Sequence, residues 1–372
     1  MMSRGALAEI PGMAGVVVVS RPSQLVPKQP VISGEVVRPQ KRNRMNCKCG
    51  WEMKPVTYIT SFRKLILTEP ISGYIELIHG VNITNDPHVK AQWLTSQCRE
   101  AIGAIEATHL EGESNLVFGE FDADDMRGLP PEGFLLVILA WLDMLLKNAW
   151  LIKDHAMECD AAFLRVEMTE GVSWTKNFLA IRPSFSDGYT DKNIKMSVDE
   201  LKKWGQTNDL VEAYLWDANS SSMRFMMEKG YARSGRAMQF VVAARRAQDL
   251  AFKIANYCSA LETLFTTEST ELAHKLAERV AFFLGERGHN RRAVFATIKS
   301  AYNVRSKLVH GDTLKQNQID GLPALSAECD VNLRTILWEI FNSEELKKIF
   351  DAHNDAIEDY FARLILGPST SS

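Results

Sequence analysis

Helical periodicity in the C-terminal part of the chain restricts the fold more than any other feature of the sequence. From about residue 233 onward, apolar residues recur at steps of three and four, the spacing of amphipathic helices. The first such run predicts one long helix over 240–265. Further helices are predicted over 271–284, over 291–309 with Gly311 as the C-terminal stop, over 327–341, and over 343–366 with Ser343 as the cap. Short connections between such helices predict an antiparallel bundle.

The region before this bundle has a mixed pattern. Short runs rich in β-branched and aromatic residues, bounded by Pro and Gly, predict strands at 56–67, 74–83, 163–166 and 177–181. Residues 87–109 have a helical pattern, and Ser197 with Glu200 predicts a capping-box start of a further helix. We therefore predict an α+β fold class, with a mixed α/β domain at 47–232 followed by an all-α bundle at 233–366.

The two ends and the most apolar segment complete the predicted organisation. Residues 1–46 hold seven basic residues, two acidic residues and five prolines, which predicts a flexible basic tail with Met45 as an alternative start. Residues 367–372 are predicted to be a disordered end. The apolar segment 134–152 carries Asp143, Lys147 and Asn148 at helical spacing, which favours a buried core helix over a membrane span. The six cysteines show no disulfide framework, which predicts a reducing, cytoplasmic location.

Charge is distributed unevenly along the predicted bundle. The 372-residue chain has a formal net charge of −3, which excludes binding of nucleic acid through bulk charge alone. Residues 233–315, however, hold 14 basic and 7 acidic residues, whereas residues 316–372 hold 4 basic and 10 acidic residues. A basic half suits a local polyanion site. Attraction between the two halves, or pairing across a dimer, explains the same pattern equally well.

One motif near the end of the third predicted helix carries chemistry. It runs from Tyr302 through Arg305, Ser306, Lys307 and His310 to Gly311. The guanidinium of Arg305 can bind a phosphate, and the imidazole of His310 can move protons near neutrality. In RNA, the 2′-hydroxyl supplies an internal nucleophile beside each phosphate. Five helical positions are about 140° apart, so the two side chains converge only if the helix ends or distorts here. The alternative is that these cations cap the end of a helix.

Two earlier blocks give this motif its context. The blocks are Tyr257-Cys-Ser-Ala-Leu-Glu-Thr-Leu-Phe265 and Leu276-Ala-Glu-Arg-Val-Ala-Phe-Phe-Leu284. With Tyr-x-x-Arg-Ser-x-Leu-Val-His-Gly, they resemble the Apea-like branch of the HEPN superfamily over about residues 235–366. The resemblance implies a four- to five-helix bundle that dimerises and brings two R-x(4–6)-H motifs together. Many members are metal-independent endoribonucleases in phage defence, toxin–antitoxin or RNA-processing systems.

The resemblance assigns roles to individual residues. Arg305 and His310 take the catalytic positions. Glu262 matches an acidic position from which it could orient Arg305, and a simple salt bridge explains it equally well. Ser306 stands where many active members carry Asn, Asp or His, and Lys307 is an auxiliary phosphate contact. The implied function is RNA cleavage to a 2′,3′-cyclic phosphate, with RNA and a second copy of the chain as partners. The alternative is a non-catalytic dimer that binds RNA, a nucleotide or a partner protein.

No cofactor or metal is predicted. The pair Cys47 and Cys49 lacks a second ligand pair at the spacing of a zinc site. The domain at 47–232 is expected to sense a trigger or to select the substrate.

Overall fold

The structure is a computed structural model of the whole chain. It describes residues 55–112, 115–126, 128–168, 171–217, 231–268 and 272–367. The predicted basic tail at 1–46, the cysteine pair Cys47 and Cys49, and all but Gly367 of the predicted disordered end lie outside these residues.

An antiparallel sheet organises the N-terminal part. The strands of the described residues are Val56–Thr60 (β1), Leu65–Leu67 (β2), Ile75–Ile78 (β3), Val81–Thr84 (β4), Leu116–Phe121 (β5), Ala161–Met168 (β6), Gly171–Phe178 (β7) and Ile194–Met196 (β8). Six of them pair in the order β3-β4-β5-β1-β6-β7. β2 and β8 form a separate parallel pair. The predicted N-terminal strands are therefore present, although the segments 56–67 and 74–83 each hold two strands and the last predicted strand lies earlier in the chain, at β7.

Helices cover both faces of this sheet. They are Pro87–Trp93 (α1), Ser96–Ile102 (α2), Ala104–Glu111 (α3), Pro131–Ala149 (α4) and Val198–Asp217 (α5). Side chains along β1 alternate between the two faces of the sheet. Val56 and Tyr58 therefore lie in one apolar core with α4, and Ile59 lies in a second core with α2 and α3. The segment predicted as a buried core helix is α4. The predicted capping box also forms, because the Ser197 amide donates to Glu200 at 2.9 Å and the Glu200 amide donates to the Ser197 hydroxyl at 3.2 Å.

The C-terminal part of the described residues is entirely helical. Its helices are Arg233–Arg246 (α6), Leu250–Phe265 (α7), Leu272–Gly285 (α8), Arg291–His310 (α9), Gln316–Asp320 (α10), Leu322–Asn342 (α11), Glu344–Phe350 (α12) and Asn354–Leu366 (α13). They enclose one apolar core, which includes Phe265, Phe283 and Phe350. This arrangement confirms the predicted succession of α+β and all-helical parts.

Two predicted helices are interrupted. The single helix expected over 240–265 is wrong, because the chain leaves the helical conformation between Arg246 and Leu250. There the Asp249 carboxylate accepts a hydrogen bond from the Phe252 amide at 2.9 Å and starts α7 as a separate helix. The helix expected over 343–366 is likewise divided into α12 and α13. Its predicted cap is correct, since the Ser343 hydroxyl accepts from the Leu346 amide at 3.2 Å.

The two parts of the chain pack against each other through buried side chains. Trp150 and Val211, from the N-terminal part, lie in the apolar core of the helical part. The Trp150 indole donates a hydrogen bond to Asp330 on α11 at 2.7 Å. Within the described ranges, no helix is both long enough and apolar enough to cross a membrane.

Candidate functional site

The motif residues lie in the last two turns of α9. Asn290 caps the start of this helix by accepting from the Ala293 amide at 3.1 Å, and Gly311 ends it in the left-handed conformation, with φ of 77°. The Asp312 amide then donates back to the Lys307 carbonyl at 2.9 Å, which closes the helix end. Val304 faces the bundle core and is 3% exposed. This buried face fixes the rotation of α9 and directs the motif side chains outward.

Arg305 lies at the boundary between α9 and α7. Its Nη2 lies 3.4 Å from Glu262 Oε2, and its guanidinium carbon lies 5.4 Å from the centre of the Tyr302 ring. The side chain is 26% exposed. The contact with Glu262 engages only one guanidinium nitrogen, so the remaining N–H donors stay available to an anion. Tyr302 begins the motif but was assigned no role from the sequence. Its spacing of three from Arg305 on one helix is what places the two side chains together.

Glu262 is the largely buried carboxyl group of this site. Its side chain is 18% exposed, and its Oε1 is buried without a hydrogen-bond partner among the described residues. Burial raises the pKa of Glu262, while the positive charge of Arg305 partly opposes that shift. A carboxyl group held next to a guanidinium, and more easily protonated than usual, can both orient the arginine and exchange a proton.

His310 is the last residue of α9 and is exposed. Because α9 stays helical through His310, five positions separate it from Arg305 by about 140° around the axis and about 7.5 Å along it. The helix ends at Gly311, as predicted, but His310 itself is still helical, so this ending does not bring the two side chains together. One chain therefore presents the two side chains on different faces of α9.

The two auxiliary residues differ in their surroundings. Ser306 is half-buried on α9 between the two motif positions. The Lys307 ammonium donates to the Thr313 carbonyl at 3.3 Å and to Gln318 Oε1 at 3.2 Å. Lys307 thus ties the helix end to the segment that follows it, which is the helix-end role that the sequence left open for these cations.

Neither a metal-ligand cluster among the described residues nor a known relative adds information about this site. Among the described residues, no three His, Cys, Asp or Glu side chains lie together as a metal site would require. Comparisons with models of protein families, with curated proteins and with solved structures find no match for this chain. The functional conclusion therefore depends on the residues and their geometry.

Proposed function

We propose that the chain is a metal-independent endoribonuclease of the HEPN type. The observation that supports this most is the placement of Arg305: half-buried between two helices, contacted by Glu262 on one side, and left with free N–H donors. A guanidinium held this way is prepared for the non-bridging oxygens of a phosphodiester. The resemblance of three sequence blocks to the Apea-like branch supplies the reaction class.

The proposed reaction uses the RNA itself as the nucleophile. The 2′-oxygen forms a bond to phosphorus while the bond from phosphorus to the 5′-oxygen breaks, which leaves a 2′,3′-cyclic phosphate and a 5′-hydroxyl. A base takes the proton of the 2′-hydroxyl, and an acid protonates the leaving 5′-oxygen. His310 performs these proton transfers, and Arg305 stabilises the charge of the pentavalent phosphorane. Ser306 and Lys307 are auxiliary contacts at the rim.

The geometry of α9 supports a second copy as part of the proposed site. Since Arg305 and His310 lie on different faces of one helix, a composite cleft forms when two chains place their α9 ends together. The two imidazoles of such a dimer supply the acid and the base. In this proposal the N-terminal α+β part senses a trigger or selects the RNA, and the protein acts in the cytoplasm in phage defence or a toxin-like stress response.

Matched variants test this proposal. Full-length wild type, Arg305→Ala and His310→Ala are incubated with single-stranded RNA in EDTA, and cleavage is followed on gels. Arg292→Ala and His353→Ala are the controls, because each removes an exposed residue of the same type elsewhere in the helical part. We expect a loss of at least about a hundredfold for the two motif variants and none for the controls. Equal cleavage by all five proteins would trace the activity to a contaminant and refute the proposal.

A second candidate is a dimer that binds RNA without cutting it. The 140° separation favours it, because a single α9 offers Arg305 and His310 as separate contacts to successive phosphates. In that case RNA binding weakens steeply with salt and depends on Arg305, while no cyclic-phosphate product forms. Filter binding at several salt concentrations, run beside the cleavage assay, separates the two candidates.

A further inference from the structure

Two buried cations lie where the N-terminal and helical parts of the chain meet. Arg245, at the end of α6, is 5% exposed, and Lys253, in the first turns of α7, is 0% exposed. Neither side chain forms an ion pair with a carboxylate of the described residues. A buried charge without a counter-charge is costly in folded proteins, where such groups are normally paired. The carboxylates of this region therefore offset the two cations only from beyond ion-pair distance.

Arg245 is held by neutral groups. Its Nη2 donates to the His155 carbonyl at 2.6 Å and lies 3.1 Å from His155 Nδ1. The imidazole cannot supply a counter-charge: Nδ1 accepts from the Met157 amide, Nε2 lies 3.0 Å from the Leu146 carbonyl, and burial holds the pKa of His155 well below its usual value. The Nε of Arg245 is buried without a hydrogen-bond partner among the described residues. One strong donor is therefore still unsatisfied.

Lys253 adds to the positive charge from the other side. Its ammonium donates to the Ser184 hydroxyl at 2.9 Å and to the Ala244 carbonyl at 2.8 Å, both neutral acceptors. Burial and repulsion by Arg245 lower the pKa of Lys253 to about 8. Two acids act on both cations from beyond ion-pair distance, Asp154 more strongly than Asp330. Asp154 accepts hydrogen bonds from the amide and the hydroxyl of Ser186. Asp330 is engaged by Trp150, Tyr257 and Arg334.

A cleft opens from Arg245 to the surface between α4 and α6. Its polar lining consists of Asp143, Lys147, His155, Arg245 and Arg246, and its walls are apolar. The lining holds three cations against the single carboxylate of Asp143. The volume of the cleft is about 20 Å³, which suits one small group rather than a whole nucleotide. A single oxyanion at the floor matches both this size and this charge.

The rim of the cleft already holds an anion of its own. Asp143 lies 2.6 Å from the Lys147 ammonium and 3.3 Å from Arg246 Nη2, and its side chain is 15% exposed. A carboxylate thus pairs with both outer cations, whereas the inner cation, Arg245, has no carboxylate of the described residues within ion-pair distance. An entering anion would compete with Asp143 for the two rim cations and would approach the side chain of Arg245 at the floor.

We propose that this cleft binds the phosphate group of a small ligand, with Arg245 at its floor and Lys147 and Arg246 at its mouth. A phosphate offers several acceptor oxygens and enough charge to balance the cations on both sides of the cleft. Free phosphate and the terminal phosphate of a nucleotide share this chemistry. Because α4 belongs to the N-terminal part and α6 to the helical part, the bound group would link the two.

Calorimetric titration of the full-length protein tests the proposal. Inorganic phosphate and a nucleoside triphosphate are titrated separately, with sodium chloride at matched ionic strength as the reference. We expect Arg246→Gln to weaken phosphate binding about tenfold, the loss of one charge-assisted hydrogen bond. Asp143→Asn should strengthen binding several-fold, because it removes the competing carboxylate. Lys176→Gln, an exposed lysine on β7, is the control and should change nothing.

The outcomes separate this site from the proposed RNA site. Arg305→Ala should leave phosphate binding at the cleft unchanged whether or not the chain cuts RNA. Binding of the triphosphate but not of inorganic phosphate, with the same dependence on Arg246 and Asp143, would identify a nucleotide as the source. No binding of either at millimolar concentration would overturn the proposal. So would binding that Arg246→Gln and Asp143→Asn leave unchanged. These two rim variants keep the test valid even if Arg245→Gln fails to fold.

Discussion

The buried carboxylate of Asp330 allows a quantitative prediction about the interface between the two parts of the chain. Asp330 is 0% exposed, and its Oδ1 accepts from the Tyr257 hydroxyl at 2.9 Å and from the Trp150 indole at 2.7 Å. A hydrogen bond to a charged group contributes roughly 1.5–3 kcal/mol. After Tyr257→Phe, the Trp150 indole still donates a hydrogen bond to the same oxygen. The loss of stability should therefore lie in the lower half of that range. We expect the free energy of unfolding to fall by about 2 kcal/mol.

Urea unfolding followed by tryptophan fluorescence measures this change. Tyr74→Phe is the control, since Tyr74 is 58% exposed and a surface hydroxyl should contribute less than about 0.5 kcal/mol. In an Asp330→Asn background the acceptor is neutral, so Tyr257→Phe should cost only about 1 kcal/mol. Two results would refute the reasoning: a cost for Tyr257→Phe as small as that of the control, or a cost that Asp330→Asn leaves unchanged.

Three further substitutions probe separate features. Gly205→Ala places a Cβ 1.9 Å from the Leu77 carbonyl oxygen, so a change that normally favours a helix should instead lower stability by more than about 2 kcal/mol in thermal unfolding. Burial raises the pKa of Asp351 to about 6, against the opposing hydrogen bonds from Ser234 and its neighbour. This carboxyl stabilises the fold at low pH and loses that contribution as the pH rises through 6. The free energy of unfolding of Asp351→Asn, relative to that of wild type, should therefore rise by roughly 2 kcal/mol from pH 4 to pH 7 in urea titrations. Gly311→Ala should cost about 1 kcal/mol, because its φ of 77° disfavours a side chain even though the space around it is open; circular dichroism melts check this value.

The apolar pattern predicted the helical part well but missed its breaks. Apolar residues keep a helical phase across Ala247 and Leu250, so periodicity alone reads α6 and α7 as one helix. At the break, Asp249 accepts a capping hydrogen bond from the Phe252 amide. Asp is a residue type that favours helix starts, and this local signal outweighed the periodic one. In the sheet, β1 lies between β5 and β6 through pairings that are distant in sequence, and no local pattern specifies that order.

In the site, too, residues close in sequence could be predicted from their spacing, whereas contacts between distant residues could not. Arg305, Ser306, Lys307 and His310 stand in one short motif, and the end of their helix at Gly311 follows from the glycine. Glu262, 43 positions before Arg305, was found through the resemblance and not through spacing. Nothing local marked the buried cations Arg245 and Lys253, because their isolation depends on which neutral groups the fold brings around them.

Mapping the ends of cleaved RNA tests the central proposal most directly. The wild-type chain is incubated in EDTA with one RNA and with the same RNA carrying a single 2′-deoxy residue at the cleavage position, and the products are identified by mass spectrometry. The proposed mechanism predicts 2′,3′-cyclic phosphate and 5′-hydroxyl ends from the unmodified RNA and not from the 2′-deoxy substrate. It predicts no such ends with Arg305→Ala or His310→Ala. Ends bearing a 3′-hydroxyl and a 5′-phosphate, or equal cleavage of the 2′-deoxy substrate, would contradict it.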